Sequence, residues 1–128
     1  MELQAKYVFL MHTILAFIFG IGFLVAPEMN LDMMGYSTLG ISAYLIQLFG
    51  SLVLLLGVQV FLIRNQPHSD FRQWIILSYI FGFTVLTSLQ IYGLLILSIG
   101  NQMIWAVSIL HILLIALYAF IFYTNMKK

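Results

Sequence analysis

The chain alternates between long stretches without charged residues and short polar segments. Tyr7 to Val25 contains no Asp, Glu, Lys or Arg and is followed by Ala26-Pro27-Glu28. A membrane-spanning helix needs about 20 apolar residues, so this stretch predicts a first helix over about 7–26. The next charge-free stretch runs from Met33 to Ile63, and its first residues are turn and cap types. It predicts a second helix over 41–63, before a polar loop that contains a proline.

The second half of the chain is one long apolar stretch with a single break. No charged residue occurs between Trp74 and Lys127, which is far too long for one crossing. Gly100-Asn101-Gln102 is the one cluster of turn residues that suits a break, so a third helix is predicted over 71–98 and a fourth over 103–125. Short loops favour antiparallel neighbours. The prediction is an all-α integral membrane bundle of four antiparallel helices, forming one domain over 1–128.

Composition explains why the bundle belongs in lipid. Hydrophobic residues make up 63% of the 128 residues and charged residues 7%, whereas a soluble domain is about 25% charged. The surface must therefore face a bilayer, which is the first predicted partner. No basic run is present to bind nucleic acid, and the absence of cysteine excludes disulfides and thiolate metal sites.

The positive charges predict the orientation. With four spans, all five cations fall on the same side of the membrane, and the acids Glu28 and Asp32 fall on the other. Because cytoplasmic loops carry the excess of Lys and Arg, both termini are predicted to be cytoplasmic. The five cations are Lys6, Arg64, Arg72, Lys127 and Lys128.

Small residues recur at helical spacing and predict the contact faces. In lipid, helices approach closely where small side chains allow it. Such contacts serve packing within one bundle or a seam between identical copies, and the motif does not distinguish the two. The predicted packing residues are Ala16, Gly20, Gly50, Gly57, Ser78 and Gly82.

The spans contain histidines but no charged side chain. Ion-coupled carriers and voltage sensors need charge inside the membrane, so those classes are disfavoured. At about 1.5 Å per helical residue, His12 lies roughly 8 Å from the cytoplasmic edge and His111 roughly 18 Å. Two axial ligands of one haem iron must share a depth. A bis-histidine haem is therefore disfavoured.

Other polar residues within the spans are expected to pair with one another, because an unpaired polar group in lipid is costly. Gln59 is predicted at the depth of His12, and Thr84 and Thr87 at the depth of His111. Gln47 and Gln90 are both predicted near the outer edge. Similar depth on neighbouring helices is the condition for a hydrogen bond between them.

One stripe on the fourth helix is a candidate ligand site. Ser108, His111 and Tyr118 recur three and seven residues apart, and Thr84 and Thr87 are predicted to face them. Apolar walls with a few convergent polar groups are typical of a site for a lipophilic molecule such as a quinone, a sterol or a lipid. Ordinary hydrogen bonding between helices gives the same pattern. No catalytic set or metal signature is present, so an enzyme acting alone is disfavoured and the question of an enzymatic role stays open.

The first half of the chain resembles the DoxX-like small four-helix bacterial membrane proteins. The resemblance lies in Gly20-Ile-Gly-Phe-Leu-Val-Ala-Pro27, Met33-Met-Gly-Tyr36 and the glycine-spaced segment from Gln47 to Gly57. It implies a four-helix bundle in a bacterial or archaeal inner membrane. For DoxX itself it implies an accessory role in a quinone-linked oxidoreductase. Those families often carry a charged residue where this chain has Gln47, so no catalytic residue is transferred.

Three functional hypotheses follow. The first is a binder of a lipophilic small molecule, or an accessory membrane subunit of a larger, redox-linked complex. The second is a homo-oligomeric pore lined by Gln47, Ser51 and Gln90. The third is a purely structural or interaction protein.

Overall fold

The structure, a computed structural model, describes residues 5–126 and contains five helices in that part of the chain. Four of them are 21 to 26 residues long and apolar enough to cross a membrane. The predicted all-α membrane helical bundle is therefore confirmed. The helices are α1 (Ala5–Val25), α2 (Pro27–Met33), α3 (Gly40–Ile63), α4 (Asp70–Leu95) and α5 (Gln102–Met126).

Helix α2 occupies a segment that was predicted to be a loop. Pro27 begins it, where its fixed φ suits a first helical turn. The Asn30 side chain donates to the Gly22 carbonyl at 2.9 Å and to the Ala26 carbonyl at 2.8 Å, which ties α2 to the end of α1. Gly35, with φ of +73°, follows the helix in a conformation that glycine adopts readily. Seven residues give too short a hydrophobic pattern for the sequence to reveal such a helix.

Helix α4 ends three residues earlier than predicted. It stops at Leu95, and Ile99 donates its backbone N–H to the Gly93 carbonyl at 2.9 Å. Ser98 and Gly100 then take φ values of 54° and 92°, which reverse the chain direction. Apolar residues continue through this turn, so composition alone placed the boundary too late.

Helices α1 and α3 pack along their length through small residues. A Cβ atom at Gly50 would lie 2.8 Å from the Phe23 Cβ and 3.0 Å from the Gly20 carbonyl oxygen. A Cβ at Gly57 would lie 2.8 Å from the Ala16 Cβ. The two backbones are therefore as close as side-chain-free positions allow. All four small residues predicted on these helices lie in this seam.

Ser78 and Gly82 on α4 lie elsewhere. A Cβ at Gly82 would meet nothing within 4 Å, and the Ser78 hydroxyl donates back to the Ile75 carbonyl of its own helix. The predicted contact within the bundle is wrong for this pair, and the alternative of a seam between identical copies stays a prediction. Small-residue spacing marks a surface that backbones could approach, and it does not say which surface faces a neighbour.

The four long helices form two pairs that meet mainly at their ends. Helix α1 packs on α3, and α4 packs on α5. At the end that carries Ala5 and Asn125, hereafter the terminal end, large buried side chains from all four helices join the pairs. At the opposite end, hereafter the α2 end, the Asn101 side chain donates to the Met33 carbonyl at 3.0 Å. The buried residues at the terminal end include Val8, Phe9, Val60, Ile76, Tyr79, Tyr118 and Ile121.

Candidate functional site

A cavity of about 770 Å³ lies between the two helix pairs, on the α2 side of the terminal-end cluster. All four long helices contribute to its wall, and Leu31 of α2 and Tyr36 contribute at the α2 end. The lining contains no Asp, Glu, Lys or Arg and is mostly Leu, Ile, Val and Phe. A site of this size and character suits a neutral apolar molecule.

The cavity is open along its α3 side. Leu45 and Leu52 line it, yet they are 55% and 58% exposed. Near the terminal end this side is closed, because the Tyr79 hydroxyl of α4 donates to Gln59 Oε1 of α3 at 2.8 Å. The outer faces of the long helices are apolar as well. A molecule dissolved in lipid could therefore reach the cavity sideways, between α3 and the α4–α5 pair.

Three hydrogen-bonding side chains form a polar cluster, defined as Gln90, Ser108 and His111. Gln90 Oε1 accepts from the Ser108 hydroxyl at 3.2 Å and lies 3.1 Å from His111 Nδ1. Ser108 is fully buried, whereas Gln90 and His111 line the cavity. The Nε2 atoms of Gln90 and His111 have no protein partner among residues 5–126. The cluster thus presents one amide nitrogen and one imidazole nitrogen to an apolar space.

His12 reaches the same region from α1. Its Nδ1 lies 2.6 Å from the Tyr118 hydroxyl, and both side chains are buried. The Phe83 ring contacts both imidazoles, with ring centroids 5.2 Å from His12 and 5.3 Å from His111. The two histidine side chains therefore converge on one aromatic ring, although they were predicted at different depths.

The pairing partners differ from the predicted ones. His12 bonds Tyr118, and Gln59 accepts from Tyr79 instead. Gln90 bonds His111, which was predicted to lie deeper in the membrane. Depth along ideal straight helices was the only basis for these predictions. Side chains several ångströms long can bond even when their backbones lie at different depths. The direction in which each side chain points around its helix decides the pairing.

Gln47 and Ser51 lie away from the cavity. The Gln47 side chain donates to the Leu24 carbonyl of α1 at 3.1 Å, and the Ser51 hydroxyl donates to the Gln47 carbonyl. Gln90 faces the cavity from α4. The three residues proposed to line a pore therefore do not share a surface within one copy of the chain.

The two threonines predicted at the ligand site do not line the cavity. Thr84 is exposed, and its hydroxyl donates to the Ile80 carbonyl of its own helix at 2.7 Å. Thr87 is buried outside the cavity wall, and its hydroxyl is unpartnered within the described chain. Of the predicted ligand residues, His111 alone lines the cavity. Ser108 bonds Gln90, which in turn bonds His111, and Tyr118 bonds His12 directly.

Two residues that the sequence analysis did not assign to the ligand site are central to it. Phe83 contacts both imidazoles, and Gln90 bonds His111. They are seven residues apart on α4, which places them on one face two turns apart. That spacing was a usable signal, but phenylalanine is too common in a membrane helix for it to be recognised.

Among the described residues, no group of three or more His, Cys, Asp or Glu side chains could hold a metal ion. Comparison with protein-family models, with curated proteins and with solved structures finds no match to this chain. The DoxX-like resemblance stays a prediction. The cavity with its polar cluster is the feature from which a function can be argued.

Proposed function

We propose that the protein binds a neutral lipophilic small molecule in the cavity between its two helix pairs. The cavity volume carries this proposal. At about 770 Å³, it is within the range of sites for small organic ligands and far larger than a packing defect, since native interiors hold few voids larger than a water molecule.

The lining specifies the chemistry of the ligand. Without an Asp, Glu, Lys or Arg side chain in the wall, a charged ligand group would lose its hydration with no opposite charge to replace it. A hydrocarbon body fits the leucine and phenylalanine side chains, while the polar cluster offers hydrogen bonds to one neutral head group. The occupant is thus a lipid-soluble molecule with a hydrogen-bonding group, the class to which quinones, sterols and neutral lipids belong.

The open α3 side supplies the route. A ligand that partitions into lipid is concentrated at the helix surface before it binds, and it never needs to cross water. The fold allows entry from lipid because the helix pairs are joined at both ends and separated in between. Selective uptake from the bilayer, for storage, transfer or supply to a partner complex, is the activity that this arrangement supports.

The cationic residues suggest which half of the membrane holds the cavity. Lys6, Arg64 and Arg72 lie at the terminal end, and Glu28 and Asp32 lie in or beside α2. The positive-inside rule puts the terminal end in the cytoplasm, so the cavity belongs to the half of an inner membrane away from it.

The orientation is tested by labelling. The chain has no cysteine, so His68→Cys and Met29→Cys each introduce one label site. Only Met29→Cys should react with an impermeant thiol reagent added to intact cells.

Binding is tested by filling the cavity. Val107 lines it, and Ile109 on the same helix is 55% exposed and does not. Membranes carrying wild type, Val107→Trp or Ile109→Trp are extracted with their native lipids, and bound small molecules are identified by native mass spectrometry. We expect a retained neutral lipophile in wild type and Ile109→Trp, and at least a tenfold reduction in Val107→Trp. Equal retention in the two variants would place the molecule on the outer surface and refute the proposal.

A further inference from the structure

We infer that the site selects lipophiles that carry a hydroxyl group over lipophiles whose head group only accepts hydrogen bonds, such as ketones, quinones and ethers. This inference rests on the proposed function and adds the identity of the head group. It follows from the hydrogen-bond partners of the two histidines, which hold the imidazoles in opposite tautomers.

His111 is held with its proton on Nδ1. Gln90 Oε1 is an acceptor, and it already receives the Ser108 hydroxyl proton at 3.2 Å. The contact of 3.1 Å to His111 Nδ1 is therefore a hydrogen bond that the ring donates. No acid lines the cavity to balance an imidazolium, so the ring is neutral. A neutral ring protonated on Nδ1 presents a lone pair at Nε2. That lone pair has no protein partner among the described residues.

His12 is held the other way. The Tyr118 hydroxyl is buried and lies 2.6 Å from His12 Nδ1, its one hydrogen-bond partner in the described chain. A buried hydroxyl left without an acceptor is costly, so Tyr118 donates its proton to Nδ1. The ring proton of His12 is then on Nε2, where it is available as a donor. The Gln90 amide nitrogen is a second unpartnered donor facing the cavity.

One acceptor and two donors are consequently left without a protein partner on the cavity wall, at the two imidazoles that contact Phe83 and at Gln90, which bonds His111. A ligand hydroxyl satisfies both kinds, because it donates to His111 Nε2 and accepts from His12 or Gln90. A ketone or an ether satisfies the donors only and leaves the His111 lone pair buried and unpaired. Sites built to hydrogen-bond a hydroxyl reject analogues that lack it for this reason.

The test compares head groups on one hydrocarbon chain. Purified protein in dioleoylphosphatidylcholine vesicles is loaded with a fluorescent pyrene-labelled alkane, which octadecan-1-ol, octadecan-2-one or 1-methoxyoctadecane then displaces. We expect the alcohol to compete at least about tenfold better than the other two, since an unpaired buried acceptor costs roughly one factor of ten. Equal competition by all three overturns the hydroxyl preference and leaves lipophile binding intact. Competition by none overturns both.

Two further arms identify the source of the hydroxyl. A sterol and a diacylglycerol are run beside the straight-chain alcohol, and the strongest competitor shows which natural class fits the cavity walls. In each class the methyl ether of the same compound is the control, and it should compete at least about tenfold less well than its parent alcohol.

A pair of histidine variants assigns the preference to the cluster. His111→Phe removes the lone pair, so the alcohol should lose its advantage while the ether competes as before. His68→Phe, in an exposed loop far from the cavity, should keep the full preference. Nitrogen-15 NMR of the folded wild type reads the tautomers directly, and we expect the proton on Nδ1 of His111 and on Nε2 of His12. The same tautomer at both rings would overturn the inference even if an alcohol binds.

Discussion

The α1–α3 seam and the space between the helix pairs lie within one apolar bundle, yet the seam is closed and the space between the pairs is open. In the seam, Gly20 and Gly50 let two backbones approach until a single methyl group would clash. Between the pairs, the rings of His12, Phe83 and Tyr118 contact one another, and the cavity lies on the α2 side of them. Because lipid does not push helices together, a gap persists wherever side chains do not fit. The fold can therefore hold a cavity between two pairs of helices that are each closely packed.

The largest expected effect comes from breaking the seam. Gly50→Ala places a Cβ 2.8 Å from the Phe23 Cβ and 3.0 Å from a backbone oxygen, so α1 and α3 must separate. Overpacking of this kind costs roughly 2 kcal/mol. Unfolding by sodium dodecyl sulfate in mixed micelles, followed by circular dichroism, measures the loss. Gly82→Ala is the matched control, because its Cβ meets nothing within 4 Å, and it should leave the free energy of unfolding within about 0.5 kcal/mol. Equal losses in both variants would contradict the seam.

The next effect comes from removing the partner of His12. Tyr118→Phe keeps the ring that stacks on Tyr79 at 5.4 Å and removes the hydroxyl that bonds His12. A buried imidazole nitrogen without a partner should lower the free energy of unfolding by about 1 to 2 kcal/mol. The same unfolding assay measures it. Tyr44→Phe, at an exposed position on α3, should change nothing, and a similar loss there would point to a general effect of the hydroxyl.

A smaller effect is expected at the α2 end, where kinetics should change more than stability. Asn101 donates to the Met33 carbonyl, and its Oδ1 accepts from the Met103 N–H at the start of α5. Asn101→Asp keeps the acceptor that caps the helix and removes the donor that joins the two pairs. Release of the fluorescent probe should become about two- to fivefold faster, since one exposed hydrogen bond is worth roughly 0.5 to 1 kcal/mol. An unchanged release rate would show that this contact does not close the cavity.

The smallest effect is a loss of stability in alkali. Tyr36 lines the α2 end of the cavity in the segment between α2 and α3, and burial raises the pKa of its hydroxyl above the usual value. The unfolded chain loses the Tyr36 proton near pH 10 while the folded chain keeps it. This contribution to stability is therefore complete below about pH 10 and declines as the pH rises further. Tyr36→Phe should show a flatter profile than wild type between pH 9 and 11, and identical profiles would place Tyr36 in solvent.

The fold could be predicted from the sequence because charge-free length and loop composition determine how often the chain crosses a membrane. The site could be predicted only in part, because depth along a helix says nothing about the direction in which a residue points. Ser78 and Gly82 have the same spacing as Ala16 and Gly20, yet they face outward. Thr84 turns away from the cavity for the same reason, and its hydroxyl is satisfied by its own helix.

Some residues that face the cavity could not be recognised from the sequence, because their residue type is common in membrane helices. Phe83 connects the two histidines, and no property of a phenylalanine in a membrane helix distinguishes it from the ten others in the chain. Gln90 was noticed as polar, but its partner His111 lies on α5, and pairing α4 with α5 requires the packed structure. Short helix α2 was invisible for a third reason, since seven residues contain too few turns to show a period.

For the lipophilic ligand proposed above, the opening along α3 also determines the unit in which the affinity of the cavity must be expressed. A molecule that arrives through the hydrocarbon layer is diluted by other lipids and not by water, so occupancy follows its mole fraction in the membrane. Adding empty vesicles to a sample would strip the site even though the total concentration of the molecule is unchanged. In a cell, the protein would accordingly respond to the make-up of the surrounding bilayer, and a change in lipid synthesis elsewhere would alter its loading without any signal passing through the aqueous phase.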